Sequence, residues 1–460
     1  MNRFLRLLLL VSCCPLIAAA SGGTRVPSSP APQWTALFHA ESQPVVDGDL
    51  VLVLGGTDAR PRIAAFPLDC ARRCRPVWWA RTGGRVGGDT VSGGVVYVAS
   101  DRLFAFDEGC RGRCRPMWTG MTENLWPPLE TGPYPLDPSA NFLSPPAVGH
   151  GVVVVSSTTE IGDTHGANPG RIYAFAEGCA NDGGVCAPLW KGQIGRVPGT
   201  PVIVGDRVFV ATGRGLSVYP LRCRTDGGRC VPTWRGLFPN VVGFGGGPVI
   251  GDDRVYVVSQ TAMGRDGLNV LMAFPLDCAP VDSVCAPLWR DDTREGHGAY
   301  DPFLGTPVEH DGSLFVTSGT SLYRYPATCG SSGDRCEPLW RSHPPGGFFR
   351  APAIDGDRVF VSDYGGHVYA FRANCDRPEG CHAVWHWEHR GNKSAPLVAG
   401  GRVYVSGKRD VYAFYEDCAR GDRACSPASV WHIGRAVNGM LVVGDRLLVM
   451  TPQRLYSFAT

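Results

Sequence analysis

The sequence predicts an all-β fold, a β-propeller of four-stranded blades with eight to nine blades in the ring. Three observations carry this. Gly (60) and Pro (38) are abundant in 460 residues, yet 44% of the chain is hydrophobic and 12 residues are Trp. That combination gives a large core divided among many short elements bounded by turns. A unit of about 45 residues recurs nine times. Cysteines recur in pairs, in step with that unit.

Each unit has three landmarks. The first is an apolar strand, a Gly/Asp turn and a second strand, as in 44–53 (PVVDGDLVLV), 201–210 (PVIVGDRVFV), 352–361 (PAIDGDRVFV) and 396–405 (PLVAGGRVYV). The second is an aromatic strand such as 172–175 (IYAF), 368–371 (VYAF) or 455–458 (LYSF). The third is a Trp: Trp34, Trp78, Trp118, Trp190, Trp234, Trp289, Trp340, Trp385 and Trp431. Alternating β-branched and aromatic residues between Gly, Asp and Pro make these strands rather than helices. We call the four strands A, B, C and D, with the Trp on D. The chain opens on a D strand at Trp34 and closes on A, B and C at 440–458. The first strand therefore completes the last blade and removes an exposed edge.

The N-terminus reads as an export signal over 1–20. Arg3 and Arg6 precede the apolar stretch Leu7 to Val11 and the small-residue run Ala18-Ala19-Ala20. Leu10-Val11-Ser12-Cys13 also resembles a bacterial lipobox, which would lipidate Cys13. Both cleavages stay open at this point. Residues 21–33 are a Ser/Pro/Gly linker, and 34–460 form the propeller. Lys+Arg 44 against Asp+Glu 42 leaves a net charge of +2. So small a charge excludes a polybasic nucleic-acid or membrane-surface protein. The expected partner is a protein or small ligand, with membrane contact only through a lipid anchor, on a monomer that is exported to the cell surface, periplasm or medium.

The 16 cysteines after the signal fall one pair to each C-to-D connection: Cys70–Cys74, Cys110–Cys114, Cys179–Cys186, Cys223–Cys230, Cys278–Cys285, Cys329–Cys336, Cys375–Cys381 and Cys418–Cys425. Zinc needs four converging ligands, which pairs on separate blade rims cannot supply. Two Cys facing across a tight hairpin lie within disulfide reach. Eight disulfides are expected, each closing a short loop and contributing at most about 2–3 kcal/mol.

The repeat, roughly P-V-x-x-G-x-V-Y-V, then Y-A-F, then W, resembles the pyrroloquinoline-quinone (PQQ) propeller repeat over nearly all of 34–460. That repeat occurs in quinoprotein dehydrogenases and in BamB-type outer-membrane assembly lipoproteins, usually with eight blades. The resemblance implies either a quinone- and calcium-dependent dehydrogenase or a binding scaffold. The dehydrogenases use an adjacent Cys-Cys pair, and the only one here is Cys13-Cys14, inside the signal. The family's quinone and calcium residues do not map onto this sequence. No cofactor is assigned, no metal set is assigned, and no catalytic residue is named. A PQQ-dependent dehydrogenase and a BamB-like lipoprotein stand as the alternatives to a non-catalytic exported scaffold.

The run His382 to His389 (HAVWHWEH) invites a metal reading. On a strand, His382 and His386 stand about 13 Å apart, so a solvated outer strand is expected. Loop length says more. A–B and C–D turns open on one face of the disc; B–C and D–A loops open on the other. Every long insertion (119–144, 156–170, 235–246, 259–269, 291–304, 341–349) is a D–A or B–C loop near units three to six. Variable loops on a rigid scaffold carry function. The richest segments, 158–170 and 291–303, supply Glu160, Asp163, His165, Asp291, Asp292, His297, Tyr300 and Asp301 as candidate partner-binding residues.

Overall fold

The computed structural model describes residues 30–460 except 58–59, 84–86, 123–142, 158–169, 196–198, 213–214, 238–246, 260–269, 293–302, 304, 331–332, 343–346, 348–349, 376, 378–380, 390, 392–393 and 419–422. The described residues contain strands and no helix. They form nine four-stranded antiparallel blades, so the count of nine repeats is the blade count. The first blade has A at Val45–Asp47, B at Leu50–Thr57, C at Arg60–Pro67 and D at Trp78–Arg81. The tight A–B turn has Gly48 at φ +50°, a left-handed conformation that disfavours a side chain. A strands of successive blades touch around the centre, as in blades one to four.

The ring closes as the landmarks required. Strand D of blade nine is Trp34–Leu37, and it pairs antiparallel with the C strand Arg454–Ala459, Trp34 opposite Ser457 and Leu37 opposite Arg454. Asn438 Nδ2 donates to the Ala40 carbonyl at 3.1 Å across the same seam.

The core consists of layers between blades rather than one central mass. One such layer combines Phe209, Leu216 and Trp234 of blade four with Val255, Met272 and Phe274 of blade five. The D-strand Trp leans on the last aromatic of the next blade's C strand, with ring centroids 6.0 Å apart for Trp118–Phe175 and 5.6 Å for Trp385–Phe414. Several indoles also donate to a carbonyl at the foot of that next blade. Trp34 reaches Leu68, Trp78 reaches Glu108 and Trp190 reaches Leu221, at 2.8–3.0 Å. Each Trp thus fills a layer, and the bonded indoles also tie its two sides; those of Trp289, Trp340 and Trp431 have no hydrogen-bond partner among the described residues.

All eight expected disulfides are present, with Cα–Cα separations of 5.6–6.2 Å. Their placement adds something the sequence did not suggest. The stapled hairpin lies across the preceding blade and adds a fifth, parallel strand to its D edge. Arg72–Arg73 of blade one pairs with Trp34–Leu37, and Arg229–Cys230 of blade four pairs with Trp190–Gln193. Seven of the nine sheets gain such a strand; the sheets of blades six and eight have four strands among the described residues. The hairpins therefore cover edges that would otherwise be open to foreign strands.

One landmark is corrected. In eight blades the Trp occupies the first D position, as Trp78 opposite Ala65 and Trp190 opposite Ala174. In blade eight Ser429 holds that place opposite Ala413, and Trp431 lies two residues further, opposite Val411. The strand Ser429–His432 keeps the Pro-x register through Pro427, so spacing counted from the tryptophans alone misplaced it.

Candidate functional site

Alternation of strand direction puts the B–C and D–A connections on one face, opposite the stapled hairpins. Of the candidate residues on that face, Glu160, Asp163, His165, His297, Tyr300 and Asp301 lie outside the described residues, and of Asp292 only the strand position is described.

Asp291 is described, and it is not a loop residue. It belongs to strand D of blade five (Trp289–Asp292), opposite Leu271, and its side chain is fully buried. Its Oδ2 accepts the Tyr325 hydroxyl at 2.5 Å and its Oδ1 accepts Arg335 Nε at 3.1 Å. Tyr325 sits on the C strand of blade six, and Arg335 on the hairpin strand that blade six lays over blade five. Burial first, and then the Asp291 charge, hold the Tyr325 hydroxyl well above its ordinary pKa, so it stays a donor. The triad locks two blades and is not available to a partner.

The position of Asp291 explains why. Two residues after the first D position the chain carries Ala36, Ala80, Gly120, Gly192 and Gly236 in other blades. These are small because the next blade's C-strand aromatic covers them; a Cβ on Gly236 would lie 2.4 Å from the Phe274 ring. At the fifth boundary a larger Asp is accommodated because the facing aromatic is a Tyr that bonds to it. Trp387 and Trp431 occupy the same position in blades seven and eight.

The described rim of the loop face shows features that sequence reasoning missed. Met121 and Leu237, at the outer ends of D strands, are more than half exposed, and so is Tyr364 in the B–C loop of blade seven. The Arg350 guanidinium lies 3.9 Å from the Tyr364 ring centre. A cavity of about 290 Å³ opens between blades three and four beside Gln193, Thr212, Arg235 and Leu237. Exposed apolar residues at the ends of otherwise polar D strands were the available signal.

The blade-seven loop also holds Asp363, fully buried, which accepts the Gly366 and His367 N–H groups and approaches His367 Nδ1 at 2.7 Å. These three contacts shape that loop. In the His-rich run, His382 is exposed, His386 lies beside Tyr369, and His389 Nε2 stands 2.8 Å from the Tyr412 hydroxyl. Among the described residues no three His, Cys, Asp or Glu side chains converge as a cation would require. Every described Cys is bridged to a partner four to seven residues away, which leaves no adjacent pair.

The model of the outer membrane protein assembly factor BamB matches residues 286–377, which span blades five to seven. No curated protein matches the sequence. Among solved structures, BamB from Moraxella catarrhalis superposes with a TM-score of 0.52 at 13% identity, covering 94% of this chain and 100% of that one. Sqt1 from Saccharomyces cerevisiae gives 0.49 at 10%, covering 94% and 97%, and a quinohemoprotein alcohol dehydrogenase from Pseudomonas putida gives 0.45 at 13%, covering 93% and 76%. At these identities the likeness concerns the fold alone, a β-propeller, and the PQQ-like repeat is matched over 286–377.

Proposed function

We propose that this PQQ-like propeller is an exported, non-catalytic scaffold that binds a protein partner through its B–C and D–A loop face. One observation carries the reading. The A–B turns are minimal and the C–D hairpins are pinned against neighbouring blades, whereas all the long insertions open on the opposite face. Variation in loop length from blade to blade, on a ring of fixed blades, belongs with recognition rather than stability. The match to the BamB model over 286–377 supports a role in assembling other proteins, and eight disulfides support an oxidising compartment outside the cytosol. Lipidation at Cys13 belongs to the same reading.

The test compares the full chain with a variant whose residues 158–169 and 293–302 are replaced by short Gly-containing turns. Both are used as bait in an envelope extract after reversible cross-linking. The proposal expects a specific partner that the wild type retains and the variant loses, with an unchanged melting temperature. Retention by the variant, together with loss when charges are placed on the A–B turns, would assign the opposite face. Turnover of an alcohol after addition of PQQ and Ca²⁺ would overturn the non-catalytic reading.

A further inference from the structure

Blades eight and nine carry a cleft of different character from the loops of blades three to six. It holds about 470 Å³ and is lined by Lys408, Arg409, Arg435, Pro452 and Gln453. Lys408 and Arg409 form the B–C loop between Arg402–Ser406 and Asp410–Tyr415. Arg435 comes from the D–A connection between Ser429–His432 and Gly439–Val443, and Gln453 from the B–C loop of blade nine. Three separate connections therefore line one cavity, and two of them deliver its three cations, Lys408 and Arg409 from one and Arg435 from the other.

The loops that do this are held in place. Ile433 and Gly434 both donate their N–H groups to the Arg409 carbonyl, at 3.0 and 2.9 Å. The Arg435 guanidinium donates to Gln453 Oε1, which fixes its direction across the cleft. None of the three cations has an ion-pair partner among the described residues. The carboxylate next in the chain, Asp410, is already engaged: Oδ1 is 2.8 Å from His432 Nδ1 and Oδ2 accepts the Tyr412 hydroxyl at 3.2 Å. Several other surface arginines do have a carboxylate partner, as in Arg207–Asp277, Arg224–Asp226 and Arg358–Asp357.

We infer that this cleft is an anion-binding site for a multiply charged oxyanion, a phosphate group in particular. Like charges gathered in one concavity repel, and an anion placed among them relieves that repulsion. Two guanidinium forks and an ammonium match the several oxygens of a phosphate. The volume leaves room for the group that carries it. A free phosphate compound and a phospholipid headgroup present the same chemistry, and the site lies apart from the loops assigned to a protein partner.

The test titrates the full chain with inorganic pyrophosphate by calorimetry and sediments it with phosphatidylglycerol vesicles, using phosphatidylcholine vesicles as control. Saturable pyrophosphate binding that weakens with salt is expected. Arg409→Gln and Arg435→Gln should each weaken it about tenfold, and Arg435→Lys should restore part of the loss. Because these side chains are exposed, the melting temperature should not move. Binding of vesicles without pyrophosphate would support the site and assign a lipid headgroup; binding of pyrophosphate alone would support it and assign a free anion. If the wild type binds neither, or if the variant Lys408→Met with Arg409→Gln and Arg435→Gln binds as well as wild type, the inference is wrong. Binding of polyglutamate in place of both probes would also overturn it.

Discussion

The hydroxyl of Tyr325 donates to Oδ2 of Asp291 at 2.5 Å, across the boundary between blades five and six. The neighbouring boundary solves the same contact with Gly236 and Phe274. Two chemically different pairs thus fill one repeated position.

The pair should be coupled. Asp291→Gly alone leaves a buried hydroxyl without its acceptor and should destabilise the chain by about 2–3 kcal/mol, and Tyr325→Phe alone by about 1–2 kcal/mol. The double variant recreates the Gly–Phe pair and should lose less than the two singles added together. Urea unfolding of the four proteins measures this; strict additivity would mean the contact carries no energy.

Ring closure depends on the strand Trp34–Leu37. Trp34 is fully buried, and its indole donates to Leu68 of the next blade. Trp34→Ala should cost about 3–5 kcal/mol through the cavity it leaves. Deletion of residues 21–40 should expose the C strand of blade nine and cause aggregation. Light scattering and thermal melts decide; a truncated chain that stays monomeric with an unchanged melting temperature contradicts the closure.

Non-reducing peptide mapping should recover the eight sequential Cys pairs. Replacing Cys223 and Cys230 together by Ser should lower stability by at most about 3 kcal/mol. It should also speed amide exchange in Trp190–Gln193, because that strand belongs to the preceding blade and is covered by Arg229–Cys230. Faster exchange confined to blade four would show that the hairpin serves only its own blade.

Asp89 stands where seven other blades carry Pro, as in Pro44, Pro146 and Pro201. Its Oδ2 is buried with no hydrogen-bond partner among the described residues. Burial raises its pKa from 3.8 to about 7. The folded chain therefore binds a proton that the unfolded chain releases between those values. Stability from this group is full below pH 4 and falls as pH rises toward 7, by at most about 4 kcal/mol and by less where water reaches the residue. Asp89→Asn should flatten the melting temperature across that window. An unchanged slope would show that the carboxyl ionises freely in the fold.

Sequence reading recovered the elements that repeat. Nine aromatic C strands and the cysteine pairs state the period plainly, so ring closure and disulfides followed from local patterns, while the blade number, open between eight and nine, is the repeat count. Relationships between repeats were harder to read. Asp291 looked like the start of a polar insertion because its partners, Tyr325 and Arg335, lie 34 and 44 residues away. The signal was present as a missing small residue after Trp289, matched by Tyr where most C strands end in Phe. Trp431 misled for the opposite reason, since a Trp displaced by two residues keeps its strand face. The cleft at Lys408 and Arg435 is assembled by three loops and has no linear motif.

Because seven of the eight stapled hairpins pair with the D strand before them among the described residues, dependence along the chain runs in one direction. As the polypeptide emerges N-terminus first, the outer edge of each blade waits one repeat for its cover. Trp34–Leu37 waits far longer for its inner neighbour: Gln33 and Ser457, which meet through their side chains, are 424 residues apart. Until Arg454–Ala459 is made, the inner edge of that first strand, which bears a large indole, has no antiparallel partner. The ring thus stays open until its last turn is made, and anything that shields Trp34–Leu37 until then would protect that edge.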